Sequence, residues 1–246
     1  MKTDCVLGVR FALGDLAEAA RCVRRLREDL AGRYITFCNV HTTVMAIEDA
    51  KYMQIQNDAA FCFPDGMPIV WRQRRHGHSY AKRISGPDFM SEIFTLTADG
   101  RLRHFFYGSK EETLEALKKK LSERFPSLVI AGMIAPPFRE ETPEEEAEDI
   151  RQIKEARPDI IWVGLGAPKQ EIWMAKHKDI FSGVMIGVGA GFDFHAGKVR
   201  RAPSWMQRVG LEWFYRLMQD PKRLFSRYFV TNTKFILYLI KERFSG

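Results

Sequence analysis

No stretch of the 246 residues stays apolar for the roughly 18–20 positions a bilayer-spanning helix needs. The chain is therefore expected not to span a membrane. Its opening, Met1-Lys2-Thr3-Asp4-Cys5-Val6-Leu7-Gly8-Val9-Arg10, encloses a short apolar run between charges and does not read as a signal peptide. Cysteine is scarce. Cys5, Cys22, Cys38 and Cys62 stand far apart with no Cys-x-x-Cys pair, which excludes a zinc knuckle, a dithiol redox motif and a disulfide scaffold, and points to reduced intracellular thiols. The histidines give one close pair, His76-x-His78. It sits among Arg72, Arg74 and Arg75, where positive charge disfavours a cation, so no metal site is expected.

The common nucleotide fingerprints are also missing. Gly164-x-Gly166 meets Lys169 where a third glycine belongs, and Gly187-x-Gly189 meets Phe192, so G-x-G-x-x-G is absent. Gly191 to Gly197-Lys198 has one residue too many for a P-loop and Val199 in place of Ser or Thr. NAD and ATP are poor candidates on these grounds. There is no Asp-x-Asp pair with which a divalent ion could be held on a diphosphate, so positive charge at such a site has to come from side chains.

What is present is a soluble composition, 46% hydrophobic and 28% charged, in a length suited to one large α/β domain with an appendage. Short β-branched or aromatic runs alternate with helical periodicity, the pattern of βαβ units in a mostly parallel sheet. Strands are expected at Val6–Phe11, Tyr34–Asn39, Ala60–Phe63, His104–Tyr107, Leu128–Met133, Ile160–Val163 and Val184–Val188. Ser109 with Glu112, and Thr142 with Pro143 and Glu145, read as helix starts, the second opening an acidic helix Pro143–Ala156. After Gly197 the strand signal stops. Residues 1–197 read as the α/β domain and 198–246 as a basic helical appendage, in which Asp220-Pro221 opens a helix with apolar residues at i, i+4 spacing. From Lys198 onward eleven basic residues stand against three acidic ones, which leaves +8, while the first 197 residues carry a net −1. A basic tail on a near-neutral body suits an anionic bilayer, a nucleic acid or a phosphorylated substrate, or is a solvated helix face.

Three glycine-bearing segments follow predicted strands: Tyr107-Gly108-Ser109, Gly164-Leu165-Gly166-Ala167-Pro168-Lys169-Gln170-Glu171 and Gly187-Val188-Gly189-Ala190-Gly191-Phe192-Asp193. At the carboxyl ends of parallel strands such loops admit phosphate to backbone N–H groups, and together they imply a nucleotide or sugar-nucleotide site. Each alone is equally a tight turn. Asp65, in Phe63-Pro64-Asp65-Gly66, ends an apolar strand at the same sheet edge; it is a candidate general base or a mere turn or cap residue. Asn39, Thr42 and Thr43 offer uncharged hydrogen bonds to sugar hydroxyls, or else an N-cap and turn.

These residues form a recognisable set with Gly86-Pro87-Asp88, Arg201-Ala202-Pro203 and Gly210-Leu211-Glu212-Trp213-x-Tyr215-Arg216. In order and spacing the set resembles the WecG/TagA/CpsF family, glycosyltransferase family 26, over nearly the whole chain. The resemblance implies a Rossmann-like, mostly parallel sheet with a C-terminal membrane-docking appendage. It implies inverting transfer of a sugar, often N-acetylmannosamine, from a UDP-sugar to an undecaprenyl-diphosphate-linked saccharide, without a metal or other cofactor, on the cytoplasmic face of the cell membrane. Carried onto this chain, it makes Asp65 the base, with Asn39, Thr42, Thr43 and Gln170 around it. Gly108, Ser109, Gly164, Gly166, Pro168, Lys169, Glu171, Gly189 and Asp193 become the nucleotide-sugar site, and Arg201, Arg216, Arg223 and Arg227 the diphosphate and membrane contacts. The segment Asn39-Val40-His41-Thr42-Thr43 departs from relatives with Asn-Pro or Asn-Ala followed by Glu. A nucleic-acid-binding module is the competing class and is not the expected one; the oligomeric state is left open.

Overall fold

The computed structural model describes residues 1–208 and 210–245; Val209, Gly246 and the side chains of Ser204, Arg208, Arg223, Arg227 and 243–245 lie outside the described residues. Two of the four tail arginines named above, Arg223 and Arg227, thus have no described side chain.

The chain begins with β1 (Thr3–Val6) and β2 (Val9–Ala12), an antiparallel hairpin. The sequence pattern had suggested a single strand, Val6–Phe11. Leu7 and Gly8 instead adopt φ of 50° and 85°, the left-handed pair that turns a two-residue hairpin. The remaining strands are β3 (Tyr34–Cys38), β4 (Phe61–Pro64), β5 (Arg103–Gly108), β6 (Val129–Ile134), β7 (Ile160–Gly164) and β8 (Val184–Gly187). They pair in parallel, in the order β4-β3-β8-β7-β5-β6, with helices between them. The expected Rossmann-like α/β architecture is present.

Burial on both faces explains why these strands lack polar alternation. All five residues of β3 are buried. Its two hydroxyls are both satisfied, Thr36 Oγ1 donating to Gln56 Oε1 at 2.8 Å and the Tyr34 hydroxyl to Ile55 O at 2.7 Å. Neighbouring positions of one strand feed opposite cores: Phe106 and Trp162 pack with Phe89, Phe94 and Phe192, whereas Tyr107 and Val163 pack with Trp173 and Met185.

Parallel pairing puts every strand's carboxyl end at one edge. After β5 the chain leaves toward β6, and after β7 toward β8, so the two connections diverge from adjacent strands. That divergence opens the crevice in which open α/β sheets hold ligands.

The acidic helix Pro143–Ala156 forms with the capping box its sequence announces: Thr142 Oγ1 accepts from Glu145 N, and Glu145 returns to Thr142 N. Ser109 does not cap. It sits at φ 64°, outside the extended conformation a cap requires, and the helix Glu111–Arg124 starts behind Lys110 with no side-chain cap.

Among the described residues the C-terminal segment holds three helices, Ser204–Arg208, Glu212–Gln219 and Pro221–Ser245. The last lies against the helix Val40–Glu48, packing Phe235 with Val44 and pairing Lys234 Nζ with Glu48 at 2.6 Å; its Leu224 and Thr231 are also buried. Its opposite stripe, Phe225, Phe229, Ile236 and Ile240, is exposed, as are Trp213, Phe214 and Met218 beside it. Among the described residues no helix is long and apolar enough to cross a membrane.

Candidate active site

β3 and β4 end side by side, and each delivers one residue. Asp65 N donates to Cys38 O at 2.9 Å, which fixes Asp65 beside Asn39. Asp65 does not cap the following helix Met67–Arg75, whose N-cap is Gly66. Its carboxylate instead meets Arg83 Nε at 3.2 Å, with the Asp65 side chain 25% exposed. Burial pushes this carboxyl up to about 6; the Arg83 charge pulls the other way, and Glu212 and Asp88 push with burial. An acid so poised is ionised at neutral pH yet basic enough to take a proton from a hydroxyl.

Asn39 is the N-cap of Val40–Glu48, its Oδ1 accepting from His41 N at 2.9 Å and Thr42 N at 3.2 Å. Thr42 and Thr43 are buried, and both hydroxyls donate to Asn39 O, at 3.2 and 2.8 Å. The sequence offered them as sugar contacts or as cap and turn residues; the structure places them in the cap.

Gln170, also buried, bridges two loops. Its Oε1 accepts from Gly189 N at 2.9 Å, and its Nε2 donates to Glu171 Oε1 at 2.7 Å. Glu171, expected among the nucleotide-sugar contacts, is fully buried, and burial raises its pKa. It supports Gln170 from inside the body rather than lining the surface.

Along the edge, Gly108 and Gly164 abut: a Cβ on Gly108 would stand 2.6 Å from the Gly164 carbonyl carbon. Backbone therefore floors the crevice between β5 and β7. Ser109 follows Gly108 directly, and Gly166, Pro168 and Lys169 lead into the helix Lys169–Lys176. Asp193 lies in the short helix after β8, its carbonyl accepting from Lys198 N at 2.9 Å.

Arg201 is engaged rather than open. It meets Asp88 at 2.5 and 2.8 Å and Glu212 at 3.4 Å, tying the C-terminal segment to the body. Although burial opposes it, pairing with Arg201 and Ser85 holds the Asp88 carboxyl below its usual range. The Arg216 guanidinium lies 5.7 Å from the centre of the Phe194 ring, and the Arg201 guanidinium 5.8 Å from it. Sequence reading gave no role to Arg83, Glu212 or Asp88. The last two lay inside quoted motifs, and Arg83 had only its place just before Ser85-Gly86-Pro87-Asp88 as a signal. No group of three or more His, Cys, Asp or Glu placed to hold a metal occurs among the described residues.

Residues 5–246 match the profile described as "Glycosyl transferase WecG/TagA/CpsF family". The chain is similar to three proteins, each named N-acetylglucosaminyldiphosphoundecaprenol N-acetyl-beta-D-mannosaminyltransferase. That of Bacillus subtilis (strain 168) is 32% identical over 86% of this chain and 80% of its own length. That of Staphylococcus aureus (strain MW2) is 32% identical over 89% and 85%. That of Bacillus spizizenii is 30% identical over 78% and 73%.

Proposed function

The chain belongs to the WecG/TagA/CpsF family of glycosyl transferases, and from that membership we propose that it moves an N-acetylmannosamine-type sugar from a UDP-sugar to an undecaprenyl-diphosphate-linked saccharide during cell-surface polysaccharide assembly. The relatives' names support this donor sugar and an N-acetylglucosamine-bearing lipid diphosphate as acceptor. Asp65 carries the reading: a carboxylate at the sheet edge, beside Asn39, with its pKa pushed up to about 6.

In the proposed reaction the acceptor hydroxyl gives its proton to Asp65 as its oxygen bonds to the anomeric carbon. The bond from that carbon to the diphosphate oxygen breaks on the opposite face, and the electron pair leaves with UDP. One step of this kind inverts the anomeric centre and needs a single base. Charge gathering on the departing diphosphate meets Arg216 and the backbone N–H groups of the glycine-bearing loops, which can supply the stabilisation a metal gives elsewhere. Metal independence is thus part of the proposal, and excess EDTA is expected to leave turnover intact. Inhibition reversed by Mg²⁺ or Mn²⁺ would contradict it.

We place the enzyme peripherally on the inner face of the cell membrane, with the exposed apolar stripe of the C-terminal segment and its positive charge as the docking surface. The test of function is a panel of UDP-sugars offered with a short-chain lipid-diphosphate N-acetylglucosamine acceptor. Turnover with the N-acetylmannosamine donor is expected. No turnover with any donor would refute the assignment.

A further inference from the structure

Glu212 opens the helix Glu212–Gln219 and turns inward, its side chain only 14% exposed. Its Oε2 accepts from Arg83 Nη2 at 2.7 Å, and its Oε1 lies 3.4 Å from Arg201 Nε. Arg83 reaches Asp65 through the remaining donor on that side, Nε, at 3.2 Å. A guanidinium presents its N–H groups as a rigid fork, and the side holding Nε and one Nη commonly grips one carboxylate with both. Here that fork is split between two carboxylates, and the second comes from the C-terminal segment.

We propose that Glu212 is a positioning residue for the transfer reaction: by taking the Nη2 donor of Arg83 it confines Asp65 to one Arg83 hydrogen bond, so that the Asp65 carboxylate remains available to the acceptor's hydroxyl proton. The inference rests on the reading of Asp65 as base. Without Glu212, Arg83 would close both donors on Asp65 and hold it as a weakly basic ion-pair partner. The segment thus contributes to the chemistry through an acid as well as through its cations. Docking of the segment and readiness of the base become one event, because the charge that frees Asp65 arrives with the helix.

Among the described residues, three charged groups act on Asp65. Arg83 comes from the loop before the helix Gly86–Leu96, Asp88 from that helix, and Glu212 from the C-terminal segment with Arg201 behind it. Asn39, brought beside Asp65 by the Asp65 N to Cys38 O hydrogen bond, is uncharged. Three carboxylates therefore share two guanidiniums. Removing the Glu212 charge must shift Asp65 toward stronger acidity, since Glu212 and Asp65 repel and Arg83 would be left to Asp65.

The experiment follows the Asp65 carboxyl by ¹³C NMR in protein labelled at aspartate, the signal being identified by its loss in Asp65→Asn, alongside pH profiles of sugar transfer. In Glu212→Ala, which removes both the charge and the acceptor held by Arg83 Nη2, the Asp65 titration is expected to fall by roughly one pH unit, with the acid limb of kcat/KM moving with it. At pH 7.5 kcat should drop several-fold with the donor KM unchanged, and Glu212→Asp should recover most of the loss. A folded Glu212→Ala in which the titration and the acid limb stay put overturns the inference, as does a loss confined to KM. Wild-type turnover by Asp65→Asn overturns the base reading itself and takes the inference with it, wherever the titration falls.

Discussion

A carboxyl that titrates near 6 instead of 3.8 works as a base only above that pH, so kcat/KM is expected to rise through about pH 6 and level off by neutrality. Asp65→Asn should lower turnover by about 10²–10⁴-fold, the usual weight of general-base catalysis, and near-wild-type turnover would remove Asp65 from the chemistry. The same shift sets a stability trend. The folded state holds the Asp65 proton between 3.8 and about 6 while the unfolded state has released it, so stability from this site is present at the low end of that window and fades as pH rises through it. Asp65→Asn is accordingly expected to keep or raise Tm at pH 7.5 while losing activity; a fall of many degrees would show the carboxylate to be structural. Asp65 was legible because it ends an apolar run just before a glycine. Arg83 and Glu212 were not, since they meet across 129 positions and only the folded sheet edge joins them. Thr42 and Thr43 illustrate the converse limit: short hydroxyl side chains near a helix start bond to backbone as readily as to substrate, and here they do.

Among the elements, the acidic helix formed where local chemistry put it. Thr142-Pro143-x-Glu145 combines a cap, a first-turn proline and a returning carboxylate, each satisfying or dispensing with a free N–H, and the helix runs over Pro143–Ala156 as read. Thr142→Ala should cost about 1 kcal/mol and lower Tm by a few degrees without touching transfer, since the cap is far from Asp65 in chemistry and exposed to solvent. Thermal unfolding with an activity assay checks both halves. Ser109-x-x-Glu112 carries a similar signature and fails, because Ser109 continues from the Gly108–Gly164 contact into a left-handed turn that local sequence does not encode. The split of Val6–Phe11 has a comparable origin. Apolar runs declare strand content, but a turn at Leu7-Gly8 breaks the run without breaking its hydrophobicity.

For the whole molecule, the C-terminal segment divides its apolar surface between two partners. Phe235 is consumed by the body, whereas Phe225 and Phe229, 61% and 66% exposed, are not. Deleting the segment would therefore uncover body residues such as Val44 and Ile69, which pack with Phe235. Substituting only the outward face is the cleaner test. Phe225→Ser with Phe229→Ser and Ile236→Ser is expected to keep Tm and weaken binding to anionic vesicles at least ~10-fold, and rising salt should weaken wild-type binding as basic residues lose roughly 1 kcal/mol each. Unchanged vesicle binding would leave the stripe without a membrane role. The sheet edge sets a different kind of boundary, on how the chain can change. With 2.6 Å between a Cβ on Gly108 and the Gly164 backbone, neither adaptation nor a mutant library can recruit a side chain from the crevice floor. With the donor bound there as proposed, new donor preferences have to be sought on the rim, at Ser109, Leu165 and Lys169, while the floor stays the same whichever sugar is accepted.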